Sequence, residues 1–504
     1  MPNTHPSHRH RDLAILLGIA LARLLVHVAL NANYGFHRDE LAVFADARDP
    51  AWGYVAYPPL VPALGHVSQW LFGTSLDGFR FFAALAQCAA IVFTGLIARE
   101  LGGRRSAQLV AALAVAATPF SLLTASQMQY TAFDSLWWVL LAWLVVRLIN
   151  RDDPRGWLGI GLVIGLGMMT RYTMLFCVAG LAVGVLATPL RRRLASPWLL
   201  AGVALSLLVF LPNGLWQFNH GFIALDFLQS IHARDVRIGR TDGFLLQQLY
   251  ATTGPLLLPL WLAGLAWLGL AKSAAPFRAL AWWYLAALTL FAIAGGRSYY
   301  LAPAYPMLLA AGAVACGQWL ARLQPNARRW SRVAIGIGLA GALTTGAAVG
   351  LPWAPVNSAG WRISRAAHDN FAEQVGWPEY VAQVAAVYQA LPPAERAHTG
   401  IYANNYGEAG AIDLYGARHG LPRAISPVNS FWFRGYGAPP PTTVIVLGDD
   451  AQGMRDTPAV CTLATRFRNP WHVENEETSH PDIYICRDLR VPWPRLWPAK
   501  PAYG

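Results

Sequence analysis

Four adjacent residues, His37-Arg38-Asp39-Glu40, bring an imidazole, a guanidinium and two carboxylates to the end of an apolar run. Neighbouring carboxylates repel, so one of them holds its proton more tightly, which suits a general base acting on a hydroxyl. An ordinary solvated loop start would read the same way. Asp134 opens another apolar run. At a membrane edge such a carboxylate is costly unless it is hydrated, paired or set on a helix N-terminus, and a helix cap is its plainer role. Two cations complete the set: Arg171 in Thr170-Arg171-Tyr172, and Arg297 in Gly295-Gly296-Arg297-Ser298-Tyr299-Tyr300. A planar guanidinium grips a phosphate through two hydrogen bonds, and lipid phosphates lie at the depth of a membrane edge. The alternative for these arginines is snorkelling, or pairing with Asp134.

The elements that must carry these groups are membrane helices. Of 504 residues 55% are hydrophobic and only 13% charged, about half the charge of an ordinary soluble protein. A crossing helix needs about 20 apolar residues. Apolar runs read as spans at 13–30, 81–97, 107–124, 133–148, 157–169, 174–190, 197–211, 244–270, 279–294, 301–320 and 333–351, which makes eleven. The first is too long for the core of a cleavable signal and lacks a small-residue cleavage site before Asn31, so it is expected to stay as a span behind the polar head Met1–Arg11.

Basic residues set the orientation. Arg99, Arg104 and Arg105, then Arg151 and Arg155, then Arg191 to Arg193, then Lys272 and Arg278, then Arg322, Arg328, Arg329 and Arg332 fall on alternate connections. Excess basic charge marks the cytoplasmic side, so the N-terminus is expected inside. The net charge of +12 thus follows from orientation. No stripe of Lys and Arg interleaved with aromatics is present, which argues against nucleic-acid binding.

The expected division is a membrane domain at 1–351, whose first outer loop (31–80) holds the acidic motif, and an outer α/β domain at 352–504. Composition changes at that boundary: 14 of the 27 acidic residues lie in the last 153 positions, with no further span. An amphipathic helix at 377–391 and strands at 399–403 and 443–447 are predicted there. Cys88, Cys177 and Cys316 lie in spans and read as packing residues. Cys461 and Cys486 lie outside, where an oxidising compartment permits a disulfide.

Other features carry less. Trp52-Gly53-Tyr54 and Tyr57-Pro58-Pro59-Leu60 shape a turn, because two prolines cannot both enter a helix interior, before an amphipathic segment at 61–72 suited to the membrane interface. Arg23 and His27, one helical turn apart in the first span, would pair with other spans or with lipid head groups. The loop 213–243, with His220, His232, Arg234, Asp235, Arg237 and Arg240, reads as a lid or as a solvated loop. Its histidines lack metal-ligand spacing.

In this order, on these edges, the stretches Tyr34-Gly35-Phe36-His37-Arg38-Asp39-Glu40-Leu41, Tyr57-Pro58-Pro59-Leu60, Gln129-Tyr130-Thr131-Ala132-Phe133-Asp134, Gly167-Met168-Met169-Thr170-Arg171-Tyr172 and Arg297 to Pro306 resemble the bacterial branch of the GT-C membrane glycosyltransferases. This group is related to the protein O-mannosyltransferases and the lipid A aminoarabinose transferases. The resemblance covers roughly residues 1–350. It implies that Asp39, with Glu40 beside it, deprotonates the acceptor hydroxyl. It implies that Asp134 supports donor sugar or acceptor binding, and that Arg297 and Arg171 hold the carrier phosphate, with Tyr299 and Tyr300 beside them. Relatives often carry a charged residue or His where this chain has Tyr57; the resemblance implies substrate binding by Tyr57, and a phenol there departs from the family's pattern for a lipid-phosphate or metal contact. In the outer part, Ile401 to Gly410 looks like a stretch of bacterial members, with Glu408 placed to complement a helix dipole and accessory acceptor recognition implied.

The expectation is an inverting transfer of a sugar from a polyprenyl-phosphate carrier to a glycolipid, such as lipid A or lipopolysaccharide core, or to a protein hydroxyl, at the outer face of a bacterial inner membrane. The donor is already lipid-bound, so no nucleotide site is needed, and no glycine-rich phosphate loop follows a strand. The sequence names no particular cofactor, and a divalent cation stays open as one. The alternative is a transporter or flippase for a glycolipid or polyprenyl-linked sugar. Transporters gather ionisable residues near mid-membrane and show repeats; here the carboxylates stand at the outer edge.

Overall fold

The structure is a computed structural model that describes residues 6–151 and 153–504; the first five residues of the expected polar head lie outside the described residues. The chain forms two compact units. One comprises Met1–Leu30, Arg80–His220 and His232–Leu351, and the other Asn31–Phe79, Gly221–Ile231 and Pro352–Gly504.

The first unit is helical. Among the described residues, seven helices are long and apolar enough to cross a membrane: His10–Leu30, Leu76–Glu100, Tyr130–Arg151, Pro197–Asn219, Lys272–Ile293, Ser298–Arg322 and Pro325–Gly350. Four shorter apolar helices accompany them: Arg105–Ala117, Gly156–Met168, Met174–Leu186 and Pro255–Leu270. The run 244–270 is helical mainly in its later part, because Gly243 and Gly254 take positive φ and break its start. On Pro197–Asn219, Leu200, Leu207 and Leu208 are 72%, 62% and 65% exposed. That exposure is stable only where the surroundings are as apolar as the side chains.

Between membrane helices the hydrophobic effect offers no drive, so packing depends on close approach at small residues. Gly161 and Gly202 face each other where Gly156–Met168 meets Pro197–Asn219, and a Cβ on either would strike the opposing backbone. Gly264 and Gly312 do the same between the helices Leu258–Leu270 and Tyr305–Arg322. Buried aromatics fill the wider gaps. Trp138 stacks on Trp283 at 5.9 Å, and Tyr305 packs against Trp261 and Tyr284 at 5.3 and 5.8 Å. Arg23 turns inward rather than to head groups. It donates to His27 Nε2 (2.7 Å) and to the Ala116 carbonyl (2.8 Å).

The second unit corrects the expected division at 351/352: the first loop, Asn31–Phe79, packs into the same unit as Pro352–Gly504. Strands β1 (Thr399–Ala403), β2 (Ala424–Ile425), β3 (Thr443–Leu447), β4 (Val460–Arg466) and β5 (Asp482–Arg487) form one sheet in the order β2-β1-β3-β5-β4. β1 runs parallel to β2 and β3, while β5 is antiparallel to β3 and β4. Every residue of β3 is buried, as its unbroken apolar run demands. Cys461 on β4 and Cys486 on β5 are register partners and are disulfide-bonded. The predicted helix runs Trp377–Ala390. The helix Arg38–Arg48 packs on Tyr406–Tyr415, where a Cβ at Gly410 would come within 2.7 Å of the Leu41 backbone.

Candidate active site

In the second unit the acidic motif is built as a helix start. His37 is the N-cap of Arg38–Arg48, and its Nδ1 accepts from the Asp39 backbone N–H at 3.1 Å. Glu40 completes the capping box by accepting from the His37 N–H at 2.9 Å. Reciprocal capping satisfies two orphan donors of the first turn, and it leaves Glu40 fully buried. This corrects the expectation that the two carboxylates share one catalytic role: Glu40 is occupied with the backbone, whereas the Asp39 side chain stays 42% exposed.

The C-terminal part reaches Asp39 through Tyr406. The Tyr406 hydroxyl donates to Asp39 Oδ1 at 2.7 Å, and Arg38 Nε lies 3.9 Å from the same oxygen. Arg38 forms an ion pair with Glu476 and places its guanidinium 5.6 Å from the Tyr406 ring centre. Burial works against the Arg38 charge, but Tyr406, Asp39, Glu373 and Glu477 outweigh it and hold the pKa above the usual arginine value. Glu408 stands in the first turn of Tyr406–Tyr415, as a residue complementing the helix dipole would. It is buried, accepts from Tyr380 at 2.9 Å, and burial pushes its pKa up to about 7. Burial likewise raises Glu477 to about 8, helped by Glu373 and Glu408.

Tyr57 is buried and donates to Asp46 Oδ2 at 2.7 Å, while Arg434 Nη2 holds Asp46 Oδ1 at 2.7 Å. Arg434 also reaches Asp49 at 3.3 Å and Asp413 at 3.6 Å. Burial lifts the Asp46 pKa to about 6 against the pull of Arg434 and Tyr57. This network ties the Pro-Pro turn to the C-terminal part and gives the Tyr57 hydroxyl a structural partner. Asp46 and Arg434 escaped sequence reading. The available signal was Asp46 itself, an acid two turns beyond Asp39 among residues of the helix that are otherwise apolar and buried.

In the first unit Asp134 and Arg171 meet. Asp134 lies at the start of Tyr130–Arg151 and is buried, and its Oδ2 is 3.4 Å from Arg171 Nη1. The Arg171 guanidinium stands 4.3 Å from the Tyr300 ring centre, 4.7 Å from Tyr130 and 5.9 Å from Tyr299. Aromatic faces stabilise a desolvated cation by about 1–2 kcal/mol each without consuming its N–H donors. Arg297 is held differently. Asp235, from the helix Ile223–Arg237, takes Nε and Nη2 of Arg297 in a two-pronged contact at 2.6 Å each, and Nη1 donates to the Tyr299 hydroxyl at 3.3 Å. The loop that reads as a lid thus supplies Asp235, which in the sequence is only one charge among several. Phosphate would have to compete with Asp235 for Arg297, whereas Asp134 engages Arg171 through one nitrogen only. Among the described residues no group of three His, Cys, Asp or Glu side chains is placed to hold a metal ion.

An apolar helical unit joined to a small α/β unit is the GT-C type of fold. The structure aligns with crystal structures of ArnT from Cupriavidus metallidurans: the form bound to undecaprenyl phosphate matches with a TM-score of 0.60 over 94% of this chain and 97% of that one, at 16% identity. The profile of the dolichyl-phosphate-mannose-protein mannosyltransferase family matches residues 56–216. The lipopolysaccharide core galacturonosyltransferase RgtA of Rhizobium johnstonii is 26% identical over 33% of this chain and 36% of its own length. An undecaprenyl phosphate-alpha-4-amino-4-deoxy-L-arabinose arabinosyl transferase of Sodalis glossinidius is 28% identical over 59% of this chain and 56% of its own. The chain therefore spans between about a third and just over half the length of these curated relatives.

Proposed function

We propose that this protein is a multi-pass membrane glycosyltransferase that moves a sugar from a polyprenyl-phosphate carrier to a glycolipid acceptor. The observation that carries the reading is Asp39: a half-exposed carboxylate fixed at a helix start, with one oxygen held at 2.7 Å by Tyr406. A carboxylate kept at the surface by its neighbours suits proton transfer. The names of the matched relatives support the same chemistry, since they are transferases of galacturonic acid and of aminoarabinose. RgtA is named for a lipopolysaccharide core acceptor, which favours a glycolipid over a protein hydroxyl here.

In the proposed reaction Asp39 takes the proton of the acceptor hydroxyl, and the acceptor oxygen attacks the anomeric carbon. The bond from that carbon to the phosphate oxygen breaks with inversion, and the polyprenyl phosphate leaves with the electron pair. Arg171 and then Arg297 stabilise the charge on the departing phosphate. Asp134 orients Arg171, and Tyr299 and Tyr300 line its aromatic surroundings.

The test is mass spectrometry of envelope lipids and glycoproteins from cells with and without the protein. The expected result is one added sugar mass on a lipid A or core species, absent without the protein. An added mass on protein instead would move the acceptor assignment. Unchanged envelope molecules, with a lipid-linked sugar accumulating on one leaflet, would replace the enzyme with a transporter.

The basic connections support a cytoplasmic N-terminus in a bacterial inner membrane, with the region after residue 352 outside. Reporter fusions after Arg193 and after Ser364 are expected to read inside and outside respectively. The same side for both would overturn the orientation.

A further inference from the structure

Asp39 is hydrogen-bonded by a residue far away in sequence, 367 positions downstream. The helix that brings it there begins at Asn405, whose Oδ1 accepts from the Gly407 N–H at 2.6 Å and caps the first turn. Tyr406 is thus the first helical residue, and its direction is set by the cap. Two glycines on one face let the helix press against the acidic motif. A Cβ at Gly407 would lie 2.9 Å from Arg38 Cβ, and one at Gly410 would lie 2.7 Å from the Leu41 carbonyl carbon and oxygen. With any larger residue the helix would stand off, and the Tyr406 hydroxyl would lose its reach to Asp39.

We propose that Tyr406 is the positioning residue of the Asp39 base: its hydroxyl anchors Oδ1, fixes the plane of the carboxylate and favours its ionised form. An O–H to carboxylate bond of this length is charge-assisted and is lost or reversed when the carboxylate is protonated, so it acts on the charged state. The guanidinium of Arg38 near the Tyr406 ring polarises the phenol and strengthens it as a donor. Other charged and titratable groups also face Asp39. His37 Nδ1 stands 3.8 Å from Oδ2, Arg38 stands 3.9 Å from Oδ1, Glu373 senses the Asp39 charge from the turn Ala372–Gln374, and Glu476 neutralises Arg38 from the segment Glu476–Ser479. The two acids and His37 are left intact by a change at position 406, so the effect of the hydroxyl can be isolated. The role of Tyr406 rests on Asp39 being the base, and it gives the C-terminal part a share in the chemistry.

The experiment uses the full chain in detergent as wild type, Tyr406→Phe and Asp39→Asn. A hydrophobic carbodiimide adds only to a protonated carboxyl, so the pH dependence of labelling on the Asp39 peptide, read by mass spectrometry, reports the titration of that one group without any substrate. Tyr406→Phe is expected to raise the labelling midpoint by roughly half a unit to one unit, because the bond to the charged form is lost while half the side chain stays in water. In the transfer reaction the acid limb of kcat/KM should move up by the same amount, with the plateau lowered less than by Asp39→Asn. Thermal melting within a few degrees of wild type would show that the variant folds. An unchanged labelling midpoint in folded Tyr406→Phe overturns the proposal, whatever the activity. If Asp39→Asn retains transfer while the midpoint still moves, the base assignment fails and the Tyr406 contact stands, so the two failures are distinct.

Discussion

Asp39→Asn is expected to lower kcat by about 10²–10⁴-fold, the range that a positioned general base supplies, while leaving donor binding near wild type. The amide keeps the size of the side chain and can still accept from the Tyr406 hydroxyl, which holds Oδ1 at 2.7 Å. It cannot take the proton. Glu40→Gln separates the two carboxylates. Glu40 is fully buried and accepts from the His37 N–H, a bond that a glutamine oxygen can also make, so turnover should persist and stability should fall by about 1 kcal/mol, as for a weakened cap. Transfer rates with a polyprenyl-phosphate sugar, alongside thermal melting, check both. If both variants transfer at near-wild-type rates, the carboxylates are structural and another group takes the acceptor proton.

The second large effect is expected at Arg171. Arg171→Ala should lower kcat/KM for the lipid-linked donor by about 10²-fold or more, with KM raised as well as kcat lowered. A phosphate contact binds the ground state and strengthens as the leaving group gains charge, so both parameters move. Part of the loss is structural. Asp134 is buried, and removing its partner leaves an uncompensated carboxylate, worth about 3–5 kcal/mol in a buried pair. The double variant Arg171→Ala with Asp134→Asn relieves that cost, so it should recover stability without recovering donor affinity. Arg297→Ala is expected to have the smaller effect on affinity, because Asp235 already occupies two of its nitrogens at 2.6 Å. Donor KM within about threefold of wild type for both arginine variants would remove them from phosphate binding.

Both predictions concern residues that stand out by type and place in the chain, and they differ in what tertiary structure adds. The membrane class was legible because a bilayer constrains composition so tightly: a crossing helix must be apolar along its whole length, and the connections on the cytoplasmic side carry the basic charge. Every one of the apolar runs falls at least partly on helix, and β1 and β3 occupy the predicted segments 399–403 and 443–447. Asp39, Asp134, Arg171 and Arg297 could be singled out for a related reason, since a charge at the edge of an apolar run needs a cause.

What the sequence could not assign were partners. Asp39 and Glu40 are adjacent and chemically alike, yet helix geometry sends Glu40 back to the cap and leaves Asp39 outward. Tyr57 gives its hydroxyl to Asp46, and Arg297 shares two of its nitrogens with Asp235, partners that the sequence does not name. The first loop reads as part of the membrane domain because it follows the first span, but it packs with the chain after Pro352. Local periodicity records which face of an element is apolar. It does not record which element hundreds of residues away will bury that face, because glycines such as Gly407 and Gly410 look the same in any helix until another backbone comes against them. Residue types and their order therefore determined the membrane class and the candidate charges, while the long-range packing of the folded chain decided which charge stays exposed and which is consumed.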